Sequence, residues 1–207
     1  MIPVQPQPEP PDFPEKVRIP GNDFLKSVSH PDTEQFNRHA YWRRVSEDMR
    51  RAYGGVCSYS ALWCSRDAAT TDHFIPKSKF PERAYEWSNF RLAARSMNTE
   101  KRAFQDVADP FTLSPESFVM EFPSLMIRSG LELTPSQRDK IESTINRLKL
   151  NEKEKYIEAR REWLCAYCED EITFSFLQKM APFIAYELRR QKLEKRIVYI
   201  MKLGCQA

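Results

Sequence analysis

No run of eighteen apolar residues occurs anywhere in this 207-residue chain, so no membrane-spanning helix is expected. No charged-then-apolar leader opens it, so no secretion signal is expected either. Cysteine is sparse: five thiols, an odd number, fall short of a disulfide framework and point to a reducing, cytoplasmic setting. An excess of one charge sign is lacking too. The 32 Lys and Arg stand against 29 Asp and Glu, a net +3, which is too small to argue nucleic-acid binding from bulk charge. Whether the cations matter depends on where they lie. The length is enough for a substantial core in one or two domains.

Proline, by contrast, is concentrated. Seven of the 15 fall in the first 20 residues, which argues against an interior strand or a helix there. Residues 1–30 are expected to form either a flexible leader or an extended strap, with Phe13, Val17 and Ile19 as the side chains a strap could bury. From Pro31 to Tyr53 the apolar residues Phe36, Ala40, Tyr41, Val45 and Met49 recur at helical spacing, and Gly54-Gly55 ends the pattern. Val56 to Ile75, rich in Tyr, Trp and Thr, reads as a hairpin. A short strand or two is expected within Ser117–Arg128. A capping signal at Thr134-Pro135-Ser136-Gln137 then opens a helical run carrying Ile141, Ile145, Leu148 and Leu150 on one face. Helical periodicity returns over Lys155–Tyr167 and Glu171–Lys202, interrupted at Pro182.

The chemistry concentrates between Thr71 and Lys101. Asp72 and His73 are adjacent, Pro76 and Lys77 follow, and Asn89 and Asn98 complete a set of oxygen and nitrogen donors within about thirty residues. A neutral histidine can take a proton from water near neutral pH, and a hard cation such as Mg²⁺ wants oxygen ligands while keeping several waters. Adjacent residues on an extended segment point to opposite faces, so Asp72 and His73 can serve one site only if the backbone bends there. Asn89 to Arg102 reads as a loop entering a helix, with Asn98, Lys101 and Arg102 close together across one turn.

Asp72-His73, then Asn89 sixteen residues on and Asn98 nine further, resembles the HNH nucleases of the ββα-metal fold. The resemblance implies an α+β chain: a small nuclease core within residues 31–110 behind the proline-rich arm, and a mainly helical region over 111–207. It implies that His73 is the general base, that Asp72 and Asn98 bind Mg²⁺ or Mn²⁺, and that Asn89 fixes the loop and the orientation of the histidine. The third motif letter is Asn rather than His, so metal affinity is expected to lean on Asp72 and on substrate phosphate. Many HNH domains carry two CxxC pairs on zinc. Here Cys57 sits at the first thiol position, but Ser60, Ala94 and Met97 occupy others, so structural zinc is not expected. A rescued site would need Cys64 together with Cys165 and Cys168. Asp72 to Ser78, Tyr85 to Asn89 and Thr144 to Asn151 together look similar to the HNH proteins of Septu-type and retron-associated antiviral systems. That likeness implies an ABC-type ATPase partner; no membrane association is expected, since no apolar run is long enough to span one.

Each residue also has a plainer reading. An Asp beside a His is often a structural pair, and Trp87 reads as core, packing the loop against the helix. His30 and His39 lie outside the motif and read as surface or cap residues. Lys77, Arg91, Arg95 and Lys101 surround the motif and are expected to meet nucleic-acid phosphates. Arg43-Arg44, Arg50-Arg51, Arg160-Arg161 and Arg189-Arg190 read singly as solvated helix faces, and as a phosphate track if several share the face of His73. DNA is the favoured substrate, with RNA, including tRNA, also open. The competing expectation is a degenerate HNH unit that binds or adapts without cutting.

Overall fold

The computed structural model describes residues 1–204, and side chains as far as Met201. The chain divides into two compact units, one built from Gln5–Cys57 and Cys64–Gln105, the other from Met1–Val4, Ser58–Trp63 and the residues from Asp106 onward. The unit that carries the motif ends at Gln105 and includes the chain from Gln5 onward.

In the motif unit the arm is a strap. The backbone N–H of Gln7 donates to Tyr53 Oη at 3.1 Å, and Trp87 Nε1 donates to Gln7 O at 2.8 Å. The strap then becomes helical, contrary to the expectation from its prolines. A π-helical turn at Pro14–Arg18 runs directly into α1, Ile19–Ser27. Pro14 sits at the first helical position, where its missing N–H costs nothing. Pro20 leaves the carbonyl four residues back, Lys16 O, without its helical donor, and Arg44 Nη1 fills that place at 3.0 Å. Phe13 and Val17 are fully buried, whereas Ile19 is 55% exposed and does not serve as an anchor.

The helix expected over residues 31–53 is broken into α2, Thr33–Arg38, a 3-10 turn at Tyr41–Val45, and α3, Ser46–Ala52. Asp32 and Gln35 form a reciprocal capping box at the start of α2. The break falls at His39, whose ring stacks on Phe24 with centroids 3.8 Å apart and whose carbonyl accepts from Tyr85 Oη at 2.9 Å. Phe36, Val45 and Met49 nevertheless all reach the core, together with Trp42 and the two aromatic residues Tyr85 and Phe90.

The predicted hairpin over 56–75 is corrected in its partner. Strand β1 covers only Ala69–His73, and it pairs antiparallel with β2, Phe90–Ala94, which follows the motif loop. Helix α4, Arg95–Lys101, leaves β2 without a gap. The unit is therefore strand, loop, strand, helix, where the sequence pattern had suggested a loop entering a helix. The missed strand, Phe-Arg-Leu-Ala-Ala, is almost wholly buried and shows no alternation to detect.

The other unit carries the short hairpin of β3, Phe118–Met120, and β4, Ile127–Ser129, as expected. Helix α5, Pro135–Arg147, opens on the Thr134/Gln137 capping box, and α6 (Glu158–Cys168), α7 (Phe174–Met180), α8 (Pro182–Arg190) and α9 (Ile197–Gly204) follow. Pro182 divides α7 from α8 by standing at the first position of the latter. The buried Glu187 carboxylate accepts from the Met120 N–H and pairs with Arg190, tying α8 to β3.

Candidate active site

A cleft of about 1110 Å³ opens in the motif unit, and Asp72, His73, Lys77, Arg95 and Asn98 all line it. Strand β1 has β2 on one side only, and the cleft runs along its other edge. That open edge lets neighbouring residues of opposite facing, Asp72 and His73, contribute to one cavity.

His73 lies on the last position of β1 and is only 7% exposed. Its Nε2 is 2.9 Å from Ala84 O. A carbonyl can only accept, so the proton belongs on Nε2 and Nδ1 carries the free lone pair. Trp42 and Phe90 meet the imidazole edge-on, with centroids 4.7 and 5.2 Å away. Burial, reinforced by the charge of Lys77, pushes the His73 pKa down to about 3. The ring is neutral throughout the physiological range.

Asn89 is 1% exposed and fully engaged. Its Nδ2 donates to Ile75 O at 3.0 Å and to Arg83 O at 2.9 Å, its Oδ1 accepts from Ile75 N at 2.7 Å, and its carbonyl accepts from Phe74 N at 2.9 Å. The side chain clamps both ends of the loop that carries Ala84, the partner of His73. It acts on the histidine through that loop and makes no recorded contact with the ring.

Asp72 is 3% exposed, and the ammonium of Lys101 lies 3.2 Å from its Oδ2 and 3.3 Å from its Oδ1. The same ammonium donates to His73 O at 3.0 Å and Phe74 O at 3.1 Å, so all three of its protons are used inside the protein. Lys101 is wholly buried, which corrects its expected role as a phosphate contact. Arg91 is corrected likewise: it is 3% exposed, its Nη1 donates to Ser88 O and Phe90 O, and its guanidinium lies over the Phe74 ring. Both are basic residues whose surroundings, not their type, decide that they brace the hairpin.

The remaining two cations stay at the surface of the cleft. Lys77 lies over the Trp42 and Phe36 rings at 5.2 and 5.7 Å, and burial holds its ammonium below the usual lysine value. Arg95 is exposed at the start of α4 and donates to Asp67 O at 3.1 Å.

Asn98 is half-buried on α4, and its Nδ2 donates to Thr70 Oγ1 at 3.2 Å and, more weakly, to Thr71 O at 3.4 Å. That orientation commits the NH₂ and turns the amide oxygen into the available ligand atom. The Thr71 hydroxyl is buried without a hydrogen-bond partner among the described residues. A carboxylate and an amide oxygen on residues that line the cleft suit a hard, largely hydrated cation better than zinc. Among the described residues no three His, Cys, Asp or Glu gather into a closed site. Cys57 and Cys64 are buried, and burial pushes the Cys64 thiol up to about 11. Cys165 and Cys168 are half-buried on α6.

The sequence offered Arg43 only conditionally and did not assign Phe36, Trp42 or Arg102, the residue that caps α4, to the site; all four line the cleft. The aromatic and arginine pairs of residues 36–44 were visible in the sequence, but only folding brings Trp42 edge-on to His73 and the others to the same cleft. Arg102 holds a positive φ of 49°, a backbone conformation non-glycine residues rarely adopt.

No protein-family model matches this chain, and no curated protein sequence matches it either.

Proposed function

We propose that the protein is an HNH-type, divalent-metal-dependent endonuclease that hydrolyses nucleic-acid phosphodiester bonds. The observation that carries this reading is the geometry at His73: its Nε2 proton is committed to Ala84 O, which leaves the Nδ1 lone pair uncommitted on a residue that lines one cleft with Asp72 and Asn98. His73 takes a proton from the attacking water, and the Ala84 carbonyl then stabilises the imidazolium that forms. Asn89 holds that carbonyl in place through Arg83 O. Asp72 and Asn98 would hold Mg²⁺ or Mn²⁺, which supplies Lewis-acid stabilisation of charge on the phosphoryl group. Lys77 and Arg95 bind the phosphate, and the products carry a 5′ phosphate and a 3′ hydroxyl.

DNA is the favoured substrate and RNA the second. The assignment to an antiviral system acting beside an ABC-type ATPase rests on the sequence resemblance alone. The test is cleavage of plasmid DNA and total RNA in Mg²⁺ or Mn²⁺, with and without the ABC-type ATPase that the resemblance implies. His73→Ala should lower the rate about 10²- to 10⁴-fold while binding persists. Cleavage by His73→Ala at the wild-type rate would overturn the assignment.

One observation favours a second reading, a non-cutting nucleic-acid-binding subunit. Lys101 already neutralises Asp72, which weakens the best metal ligand. Binding without cleavage in both metals, with the ATPase present, would select it.

A further inference from the structure

A second groove, of about 540 Å³, is lined by five arginines, Arg43, Arg44, Arg50, Arg66 and Arg95, against two acidic residues, Glu47 and Asp67. Its formal charge, 5 − 2 = +3, equals the net charge of the entire chain, so the near-neutral composition conceals one concentrated cationic channel. Arg43, Ser46, Ala69, Thr70 and Arg95 line both this groove and the His73 cleft, which makes the two a continuous path.

The arginines come from three stretches that folding brings together: the turn and helix of residues 41–52, the segment before β1, and the start of α4. Several are pre-positioned. Arg44 is held by Lys16 O and lies 4.4 Å over the Tyr41 ring, and Arg95 is held by Asp67 O. Arg43 is exposed at the junction of the two cavities, and its guanidinium makes no hydrogen bond or ion pair among the described residues. Arg66 meets Glu47 at 3.4 Å, but both are exposed, and such a pair contributes little. Guanidinium groups fork onto phosphate oxygens bidentately, and a row of them suits a polymer of phosphates better than a single one.

We infer that this groove carries the phosphate backbone of a polynucleotide away from the scissile phosphate, so that the protein's substrate is a strand several nucleotides long rather than a short ester. The inference rests on the nuclease reading for the identity of the scissile phosphate, but binding in the groove does not require cleavage.

The experiment is the salt dependence of affinity for fluorescein-labelled 20-mers, measured by anisotropy in Ca²⁺ with single-stranded and duplex DNA and RNA as separate arms. Wild type is compared with the Arg43→Gln/Arg66→Gln double variant and with Arg128→Gln, an exposed arginine of the other unit paired with Glu121. Removing two phosphate contacts should lower the slope of log K against log salt by about 1.4 for a single strand and about 1.8 for a duplex. At 0.1 M salt that is roughly a tenfold or greater loss of affinity, with Arg128→Gln unchanged. Circular dichroism confirms that the double variant is folded. An unchanged slope in a folded double variant, or displacement of the oligonucleotide by poly-glutamate at equal charge, overturns the inference, the latter in favour of an acidic protein partner. If the double variant loses binding while no condition gives cleavage, the groove stands and the nuclease reading falls. If it cuts plasmid at the wild-type rate, the reverse holds.

Discussion

At the scale of single residues, the decisive features are three buried ionisable groups, His73, Asp72 and Lys101. His73 is neutral because charging it would bury a desolvated cation, and would do so beside the charge of Lys77. Its folded pKa, about 3, lies below the unfolded value of 6.5, so the unfolded chain binds a proton first as pH falls. The stability this group contributes is complete above pH 6.5 and is lost toward pH 3. Urea unfolding of wild type in EDTA should therefore show a loss of up to about 1.4 kcal/mol per pH unit between pH 6 and 4 beyond that of His73→Ala. Parallel curves for the two proteins would refute the buried neutral imidazole. Lys101→Met strands the Asp72 carboxylate in a buried site, and removing one partner of such a pair costs about 3–5 kcal/mol. Its denaturant midpoint should fall accordingly, while the double change Lys101→Met/Asp72→Leu should recover most of the loss.

At the scale of elements, the loop between β1 and β2 depends on one side chain. Asn89→Ala deletes three hydrogen bonds, each worth about 1 kcal/mol. It should lower kcat for cleavage with little change in oligonucleotide affinity, because it releases Ala84 O from His73 rather than touching phosphate; a Kd that moves in step with kcat would contradict a positioning role. A second constraint lies in α1. A Cβ on Gly21 would come within 2.1 Å of the Tyr85 ring, so α1 can lie there only with glycine at this position. Gly21→Ala should destabilise by about 1–3 kcal/mol despite the higher helix propensity of alanine, read from thermal or denaturant unfolding. The arm's helix follows the same logic: propensity argued against it, and a tertiary donor, Arg44, removed the objection by taking up Lys16 O.

At the scale of the whole chain, the two units are not consecutive halves. Ser58–Trp63 leaves the motif unit to join the other, where the Trp63 N–H donates to Met180 O at 2.7 Å, and Tyr59 and Leu62 are buried. A fragment ending at Gln105 keeps this segment but loses the residues it packs with. Such a fragment should elute as aggregates or unfold at lower denaturant than the full chain on size-exclusion chromatography and urea titration; a stable monomer with full-length stability would show that the motif unit folds independently. The charge distribution is likewise a property of the whole, since cations separated by up to 52 residues line one groove.

What the sequence determined by itself was local. The Thr134 capping box, the break at Pro182 and the short strands near Phe118 and Ile127 all depend on neighbours along the chain, where steric preference and hydrogen-bond geometry act over a few residues. Only the tertiary structure decided which cations face solvent. Arg91 and Lys101 are the same residue types as Arg95 and Lys77, yet the first two are buried because the hairpin and α4 bring carbonyls, Asp72 and the Phe74 ring around them. Charge belongs to the residue, but the cost of desolvating it, and hence its role, is set by what the fold packs against it.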